Sequence, residues 1–141
     1  MTRLALAFLA ALTGCEGTRT LDDAGCLPLR VPAQVVLQQE AGLYRVRSEP
    51  GLFLFALPRD TTNDAFSGIE RIRTLPVGTA LSIRELSQRH GFDSGRGRIS
   101  AFGTTPEGEA FAYGWGAGTQ IGRAPWEPAS TPSVREVDCG D

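Results

Sequence analysis

The sequence predicts an all-β domain, on three observations. Short apolar segments recur along the chain, separated by glycine and proline, of which there are 17 and 9. These two residue types interrupt helices and favour short strands joined by turns. Several segments alternate between apolar and polar residues, and one pair flanks a turn sequence typical of a hairpin. We expect a small antiparallel barrel or a sandwich.

Three strands are predicted before residue 60. Residues 33–40 include an apolar run, and residues 43–47 alternate between apolar side chains and arginine. Ala41-Gly42 lies between these segments and suits a tight hairpin turn. Residues 52–57 are apolar at every position and are followed by Pro58. This pattern predicts a central strand that is buried on both faces.

The next two segments leave helix and strand open. In residues 65–73, apolar residues recur at helical spacing and Asp64 is placed to cap a short helix, although Gly68 weakens it. Residues 79–90 alternate as a strand does, but Ser82 and Glu85 in the same segment have the spacing of a helical capping box. We favour the strand for this second segment.

The clearest hairpin joins residues 98–104 to residues 109–115. The connecting sequence is Thr105-Pro106-Glu107-Gly108, and proline at its second position with glycine at its fourth suits a type I turn. The second strand has one aromatic and one small-residue face: Phe111, Tyr113 and Trp115 alternate with Ala110, Ala112 and Gly114. After the proline-rich residues 124–133, residues 134–137 predict a short terminal strand.

The amino terminus has the order of a secretory signal peptide. A short start containing Arg3 precedes nine apolar residues, 4–12, which carry no charge. A membrane-spanning helix needs roughly 20 apolar residues, so this run is too short to span a bilayer. It ends in Leu12-Thr13-Gly14-Cys15, which resembles the lipobox of bacterial lipoprotein precursors. The alternative is a buried amphipathic first helix with an ordinary thiol.

The resemblance implies a processed and lipid-anchored protein. Residues 1–14 would be removed, and Cys15 would carry a diacylglyceryl group on its thiol and an acyl group on its amine. In this family, aspartate after the cysteine favours the inner membrane. Here that residue is Glu16, so we expect an outer-membrane anchor facing the periplasm of the cell envelope. Residues 15–25 are polar and predict a flexible tether, and residues 26–141 predict a single β-rich domain.

The remaining two cysteines predict a disulfide. Because the resemblance assigns Cys15 to lipid, Cys26 and Cys139 are left in a chain exported to an oxidising compartment. A bond between them would join the two ends of the domain, and two separate thiols are the alternative. A single histidine and two distant cysteines form no recognisable ligand cluster, so we expect neither a metal nor another cofactor.

Composition excludes some partners. The formal net charge is −2, and a nucleic-acid partner, which usually requires a basic face, is not expected. All positive side chains are arginine, for which the codon bias of a GC-rich genome is a sufficient explanation. Separately, Leu75-Pro76-Val77-Gly78-Thr79 followed by a glycine-rich hairpin resembles bacterial SH3-like barrels over about a third of the chain.

The sequence offers no convincing catalytic group. His90 is the single histidine, and the serines near it are not in a nucleophile elbow. We interpret it as an exposed loop residue. Glu107 and Glu109 lie in and beside a turn, where we expect solvated carboxylates rather than an acid–base pair. The protein is therefore not expected to be an enzyme.

Two groups of residues are candidates for binding a partner. One is a glycine-rich segment with Arg89, Arg96 and Arg98, a cationic tip suited to phosphate or carboxylate. The other is the aromatic set Tyr113, Trp115 and Trp126, a residue type common in interface anchors. The alternatives are an ordinary hairpin loop for the arginines, and core packing against Phe53 and Phe55 for the aromatic residues.

These observations favour a non-enzymatic, lipid-anchored envelope protein that binds a protein or cell-wall partner. A periplasmic inhibitor or immunity protein directed against a cell-wall hydrolase is one concrete form. The alternative is a structural accessory of an envelope assembly or secretion system, bound along a sheet edge. A hydrolase is the least favoured of the three hypotheses.

Overall fold

The structure, a computed structural model, describes residues 17–91 and 95–140. In this part of the chain, ten strands and one helical turn are present. The strands are β1 (Gly17–Thr20), β2 (Ala33–Val36), β3 (Ala41–Val46), β4 (Leu52–Ala56), β5 (Ile69–Leu75), β6 (Ala80–Gly91), β7 (Gly95–Thr104), β8 (Ala110–Ala117), β9 (Gln120–Gly122) and β10 (Val134–Glu136), and the helix α1 is Asp64–Ser67. The all-β class is confirmed.

All ten strands belong to one sheet. Its main path runs β1-β6-β7-β8-β4-β3-β5. The sheet does not close on itself, and it is mixed, because β4 pairs with β8 in the parallel direction whereas the other pairs are antiparallel. The expected antiparallel pairing therefore holds at every junction but this one.

Two long strands organise the sheet, and each has two short strands along one edge. β2 pairs with the first part of β6 and β1 with the last part, while β7 covers the other edge. On β8, residues 111–112 pair with β4 and residues 116–117 pair with β9. Along this edge, β8 therefore changes its pairing partner from β4 to β9 near its middle. The candidate site described below lies at this point.

A single hydrophobic core lies against one face of this sheet. It joins β6, β7 and β8 to β3 and β4, and its large members include Tyr113, Trp115, Trp126, Phe111, Leu43, Leu54, Leu75, Leu81, Ile83, Leu86 and Ile99. Burial of apolar area stabilises such a core by roughly 25 cal/mol per Å². Burial alternates along β8 as the sequence pattern requires, with the aromatic residues inside.

Several predicted elements are confirmed. The turn between β7 and β8 is closed by the Gly108 amide, which donates to the carbonyl of Thr105 at 2.9 Å. Residues 80–91 form a strand rather than a helix, and a short terminal strand is present as β10. The hairpin predicted at Ala41-Gly42 is wrong: both residues lie within β3, which pairs with β4 and β5, whereas β2 pairs with β6.

Residues 65–73 contain both of the structures that the sequence left open. α1 is a single turn whose N-cap position is Asn63 rather than Asp64, and the Asn63 side chain makes no capping hydrogen bond. It ends at Gly68, whose φ of +66° is a left-handed conformation that glycine adopts without strain. The chain then enters β5 at Ile69.

The predicted flexible tether is wrong over most of its length. Within residues 15–25, β1 pairs with the last part of β6, and Leu21 is buried in the core. The Leu21 amide donates to the Leu86 carbonyl at 2.7 Å, and the Leu86 amide donates to Oδ1 of Asp22 at 2.7 Å. An isolated apolar residue, Leu21, was too weak a signal to predict this pairing. Cys15 and residues 1–14 lie outside the described residues.

The predicted disulfide is present. Cys26 is bonded to Cys139, and their Cα atoms are 5.0 Å apart. The bond closes a separation of 113 residues and ties the segment after β1 to the segment after β10. Both cysteines pack against the core.

Candidate partner-binding site

The aromatic residues predicted to contact a partner are buried. Trp126 packs edge-to-face against Tyr113 and Trp115, with ring centroids 5.1 and 5.4 Å apart. All three side chains belong to the core. The expectation of an exposed aromatic anchor is therefore wrong, and the core interpretation applies, with Trp126 rather than Phe53 or Phe55 as the packing partner.

The proline-rich segment is responsible for this burial. It folds back over β8, and a partly buried ion pair between Arg135 Nη2 and Glu127 Oε2, 2.6 Å apart, holds it in place. The same carboxylate accepts a hydrogen bond from the Ala124 amide at 2.7 Å. Burial, and then the nearby charge of Glu127, raise the pKa of Tyr113 to about 12.

The three predicted arginines lie on strands, so the predicted long loop is wrong. Arg89 is on β6, and Arg96 and Arg98 are on β7, within a hairpin whose residues 92–94 lie outside the described part of the chain. Arg96 approaches Asp138 at 3.8 Å, and Arg98 approaches Glu49 at 3.8 Å. Of the six predicted contact residues, Arg98 alone lines the groove described next.

An apolar groove of about 310 Å³ lies on the sheet face opposite the core. We call it the outer groove. Its walls come from β3, β4 and the start of β5, and its floor from β8: the lining residues are Val46, Glu49, Phe53, Leu54, Phe55, Ile69, Arg98 and Gly114. Phe53 and Phe55 are half-exposed there, so the strand predicted to be buried on both faces is buried on one.

The groove exists because of the arrangement around Gly114. This residue lies between the part of β8 that pairs with β4 and the part that pairs with β9. A Cβ atom built on Gly114 would meet no atom within 4 Å. The bare backbone therefore forms an open floor between two phenylalanine side chains and a charged pair, Arg98 and Glu49.

Next to the groove, the outer face is covered by residues 57–68, which we call the crossing loop. The Arg59 guanidinium lies over the rings of Tyr44 and Phe55, 4.7 Å from each centroid. It also forms two hydrogen bonds with the Asp64 carboxylate, at 2.7 and 3.0 Å. The hydrogen bonds to Asp64 raise the pKa of Arg59 above its ordinary value. Tyr44 is thereby 1% exposed although it faces away from the core.

Further hydrogen bonds order the crossing loop internally. The hydroxyl and amide of Thr62 both donate to Oδ1 of Asp60, and these bonds lower the pKa of that carboxyl group. The Asp64 amide donates to the Thr61 carbonyl at 3.0 Å, and the Leu57 amide donates to the Glu40 carbonyl at 2.9 Å. The loop is thus pre-ordered before any partner binds.

The crossing loop carries a protruding aromatic residue. Phe66 on α1 is 93% exposed, although phenylalanine is among the residue types most often fully buried. Its backbone is held by the Asp64–Arg59 pair on one side and by the Gly68 cap on the other. Large exposed apolar groups on ordered backbone are typical of interface anchors.

The residues considered for catalysis lie within a strand or form ion pairs. His90 is half-buried within β6, opposite Gly17, so the interpretation as an exposed loop residue is wrong. Glu107 and Glu109 both form ion pairs with Nη2 of Arg73. The hydrogen bond from Arg73 lowers the pKa of Glu107. Both carboxylates are thus paired with Arg73, and Glu107 is also exposed to solvent, as expected.

The packing of the crossing loop and most of the outer groove were not predicted from the sequence. The doubly apolar segment 52–57 was a usable signal, because the second apolar face requires either another layer or a ligand-binding surface. The small-residue face of β8, which includes Gly114, was a second usable signal. No sequence pattern indicated that Arg59 and Tyr44, 15 positions apart in the chain, would stack.

Comparison of the chain with known protein families, with curated proteins and with solved structures finds no match. In the part of the chain that the structure describes, no helix has the length and apolar character needed to cross a membrane. Within the same residues, no three histidine, cysteine or acidic side chains are grouped as metal ligands.

Proposed function

We propose that this protein is a non-enzymatic, lipid-anchored protein of the bacterial cell envelope that binds a protein partner through its outer groove and crossing loop. The lipid anchor is proposed from the resemblance of residues 1–15 to lipoprotein precursors. An inhibitor or immunity protein against a secreted cell-wall hydrolase is the specific form that we favour.

The observation that carries the proposal is the apolar surface at the outer groove. Phe53 and Phe55 are half-exposed beside the bare backbone of Gly114, and Arg98 and Glu49 form a charged rim. Apolar centres with polar rims are the usual anatomy of protein interfaces. The groove accepts an apolar side chain, and the rim orients it.

The crossing loop supports the inhibitor form of the proposal. A loop already fixed by hydrogen bonds loses little conformational entropy on binding, so more of its contact energy appears as affinity. Phe66 projects from this loop with 93% of its surface exposed. A pre-ordered loop with a protruding side chain suits insertion into the cleft of another protein.

The proposal is tested with variants that alter the surface and leave the fold unchanged. Gly114→Val fills the groove floor, where a new Cβ meets nothing within 4 Å, and Phe66→Ala removes an almost fully exposed ring. Ala117→Val is the matched control, because Ala117 is exposed on the same strand but does not line the groove. Each lipidated variant is purified from envelope extracts, and its stoichiometric partner is identified.

The expected result is one defined partner that co-purifies with the unmodified protein and with Ala117→Val, and that is lost with Gly114→Val or Phe66→Ala. Inhibition of a cell-wall hydrolase by that complex supports the inhibitor form. A partner retained by all variants contradicts the proposal. It favours instead the structural-accessory alternative, in which an assembly pairs with β5, the strand at one end of the sheet path.

A further inference from the structure

The crossing loop borders a second cavity, which is separate from the outer groove. Its volume is about 500 Å³, within the range of roughly 300–1,000 Å³ that is usual for small-molecule sites. The two spaces share no lining residue, and the Arg59 guanidinium lies between them, over Phe55 of the groove and Tyr44 of the cavity. The residues that line the second cavity are Glu40, Tyr44, Leu57, Pro58, Arg59, Thr61 and Arg71.

Two opposite charges line the second cavity without pairing. Glu40 and Arg71 are both exposed. Within residues 17–91 and 95–140, neither side chain forms an ion pair or a hydrogen bond, with the other or with a third residue. The third charge at the cavity, the Arg59 guanidinium, is already neutralised by its two hydrogen bonds to Asp64. The cavity therefore offers one cation and one anion to a ligand.

The strand register separates these two charges. Arg71 lies opposite Tyr44 in the β3–β5 pairing, and Glu40 directly precedes β3. The four residues from position 40 to position 44 correspond to roughly 13 Å along a strand. A ligand that reaches both side chains therefore needs opposite charges at two separate ends.

The surface near Glu40 is apolar. The Leu57 amide donates to the Glu40 carbonyl at 2.9 Å, which fixes Leu57 and Pro58 beside the start of β3. Both residues line the cavity together with Glu40. The carboxylate thus has apolar surface next to it, which suits an ammonium group attached to a carbon that bears an apolar side chain.

We propose that the second cavity binds a short peptide with free ends, its ammonium group at Glu40 and its carboxylate at Arg71. Guanidinium–carboxylate contacts are charge-assisted and often bidentate, and they are therefore among the stronger hydrogen bonds. An extended dipeptide spans at most about 7 Å, which leaves the Glu40 and Arg71 side chains a few ångströms to cover at each end. An apolar first residue packs on Leu57 and Pro58. This binding does not require a partner in the outer groove.

The test is calorimetric titration of the purified full protein, with its disulfide intact, by leucyl-alanine. Three matched probes lack one charge or both: N-acetyl-leucyl-alanine, leucyl-alanine amide and N-acetyl-leucyl-alanine amide. Arg71→Gln and Glu40→Gln alter side chains that have no partner among the described residues, so both variants should keep the urea midpoint of the unmodified protein. Arg45→Gln and Glu85→Gln are the matched controls, because these residues are exposed and do not line the cavity.

We expect saturable binding of leucyl-alanine, and binding of each blocked peptide that is weaker by roughly ten-fold or more, since each loses a hydrogen bond between charged groups. Arg71→Gln should weaken binding of leucyl-alanine about as much as amidation does, and amidation should then have no further effect. Glu40→Gln should act in the same way toward acetylation, and the two controls should bind as the unmodified protein does.

Three results would overturn the proposal. They are an absence of saturable leucyl-alanine binding, equal binding of the doubly blocked peptide, and undiminished binding by both Arg71→Gln and Glu40→Gln. None of these results affects the partner proposed for the outer groove, because that partner is tested separately by co-purification with Gly114→Val.

Discussion

Tyr44 folds back over Gly42, so that a Cβ atom at position 42 would lie 2.5 Å from Cε2 of the tyrosine ring. The two residues share the outer face of β3, since side chains two positions apart in a strand point the same way. The missing side chain of Gly42 is what lets the ring lie against the sheet, where Arg59 covers it. The crossing loop therefore packs on a tyrosine ring that can lie against the sheet only because residue 42 has no side chain.

We predict that Gly42→Ala destabilises the domain by about 1–3 kcal/mol, the usual range for overpacking. The ring cannot retreat easily, because it is buried between the sheet and the Arg59 guanidinium. Urea unfolding measures the change. Gly114→Ala is the matched control on the same outer face, and it is expected to be neutral because its Cβ meets nothing within 4 Å. Equal stability of the two variants would contradict this account of Gly42.

Local chemistry made part of this fold predictable from the sequence. The turn at Thr105-Pro106-Glu107-Gly108 was identifiable because proline and glycine restrict the backbone at fixed positions. β6 was identifiable by alternation, and the disulfide by counting the cysteines left after the lipidation motif. The turn and β6 depend on residues that are neighbours in the sequence, and the disulfide depends on cysteine, of which the chain has only three.

The features that the sequence did not predict depend on contacts between segments that are far apart in the chain. For Tyr113, Trp115 and Trp126 the sequence left both surface and core open, and in the structure the Glu127–Arg135 pair holds the proline-rich segment over them. Residues 17–20 are polar and resemble a tether, but their backbone completes the free edge of β6. Backbone hydrogen bonding of this kind leaves no hydrophobic pattern to detect.

A second prediction concerns Gly116, two positions beyond the groove floor on β8. A Cβ at this position would lie 2.0 Å from the carbonyl oxygen of Gln120, a backbone atom that cannot rotate away. We expect Gly116→Ala to open the β8–β9 hairpin and to cost about 3 kcal/mol or more. Gly122→Ala, whose nearest contact is an ordinary 3.7 Å, is the control in the same urea measurement. A variant that unfolds at the same urea midpoint as the control would show that β9 adjusts freely.

Removal of the disulfide is expected to be costly. Cys26 and Cys139 close a separation of 113 residues, for which loop-closure entropy gives a stabilisation of up to about 4–5 kcal/mol. We predict that Cys26→Ser with Cys139→Ser lowers the free energy of unfolding by most of that amount. Thermal or urea unfolding of the oxidised and double-serine proteins measures it. A loss below about 1 kcal/mol would mean that the closure entropy is offset by other interactions.

The Arg59–Asp64 pair is expected to hold the crossing loop in place. We predict that Arg59→Ala costs about 2 kcal/mol, because it removes two charge-assisted hydrogen bonds and uncovers Tyr44. Amide hydrogen exchange should accelerate in residues 60–67 and remain unchanged in β6 and β7. Arg71→Ala, an exposed arginine on the adjoining strand, is the control. Unchanged exchange in the loop would indicate that its internal turns alone maintain its structure.

Stability at alkaline pH should depend on Tyr113. Burial raises its pKa to about 12 in the folded protein, compared with about 10 for an unfolded chain. Between these values the unfolded state loses the phenolic proton first, so the stabilisation present below pH 10 is lost as pH rises toward 12. The two-unit difference corresponds to a loss of about 2–3 kcal/mol. Tyr113→Phe keeps the ring that packs on Trp126 and removes the titrating group. Urea unfolding of both proteins from pH 8 to pH 11.5 should therefore show a steeper decline for the unmodified protein, and parallel curves would contradict the raised pKa.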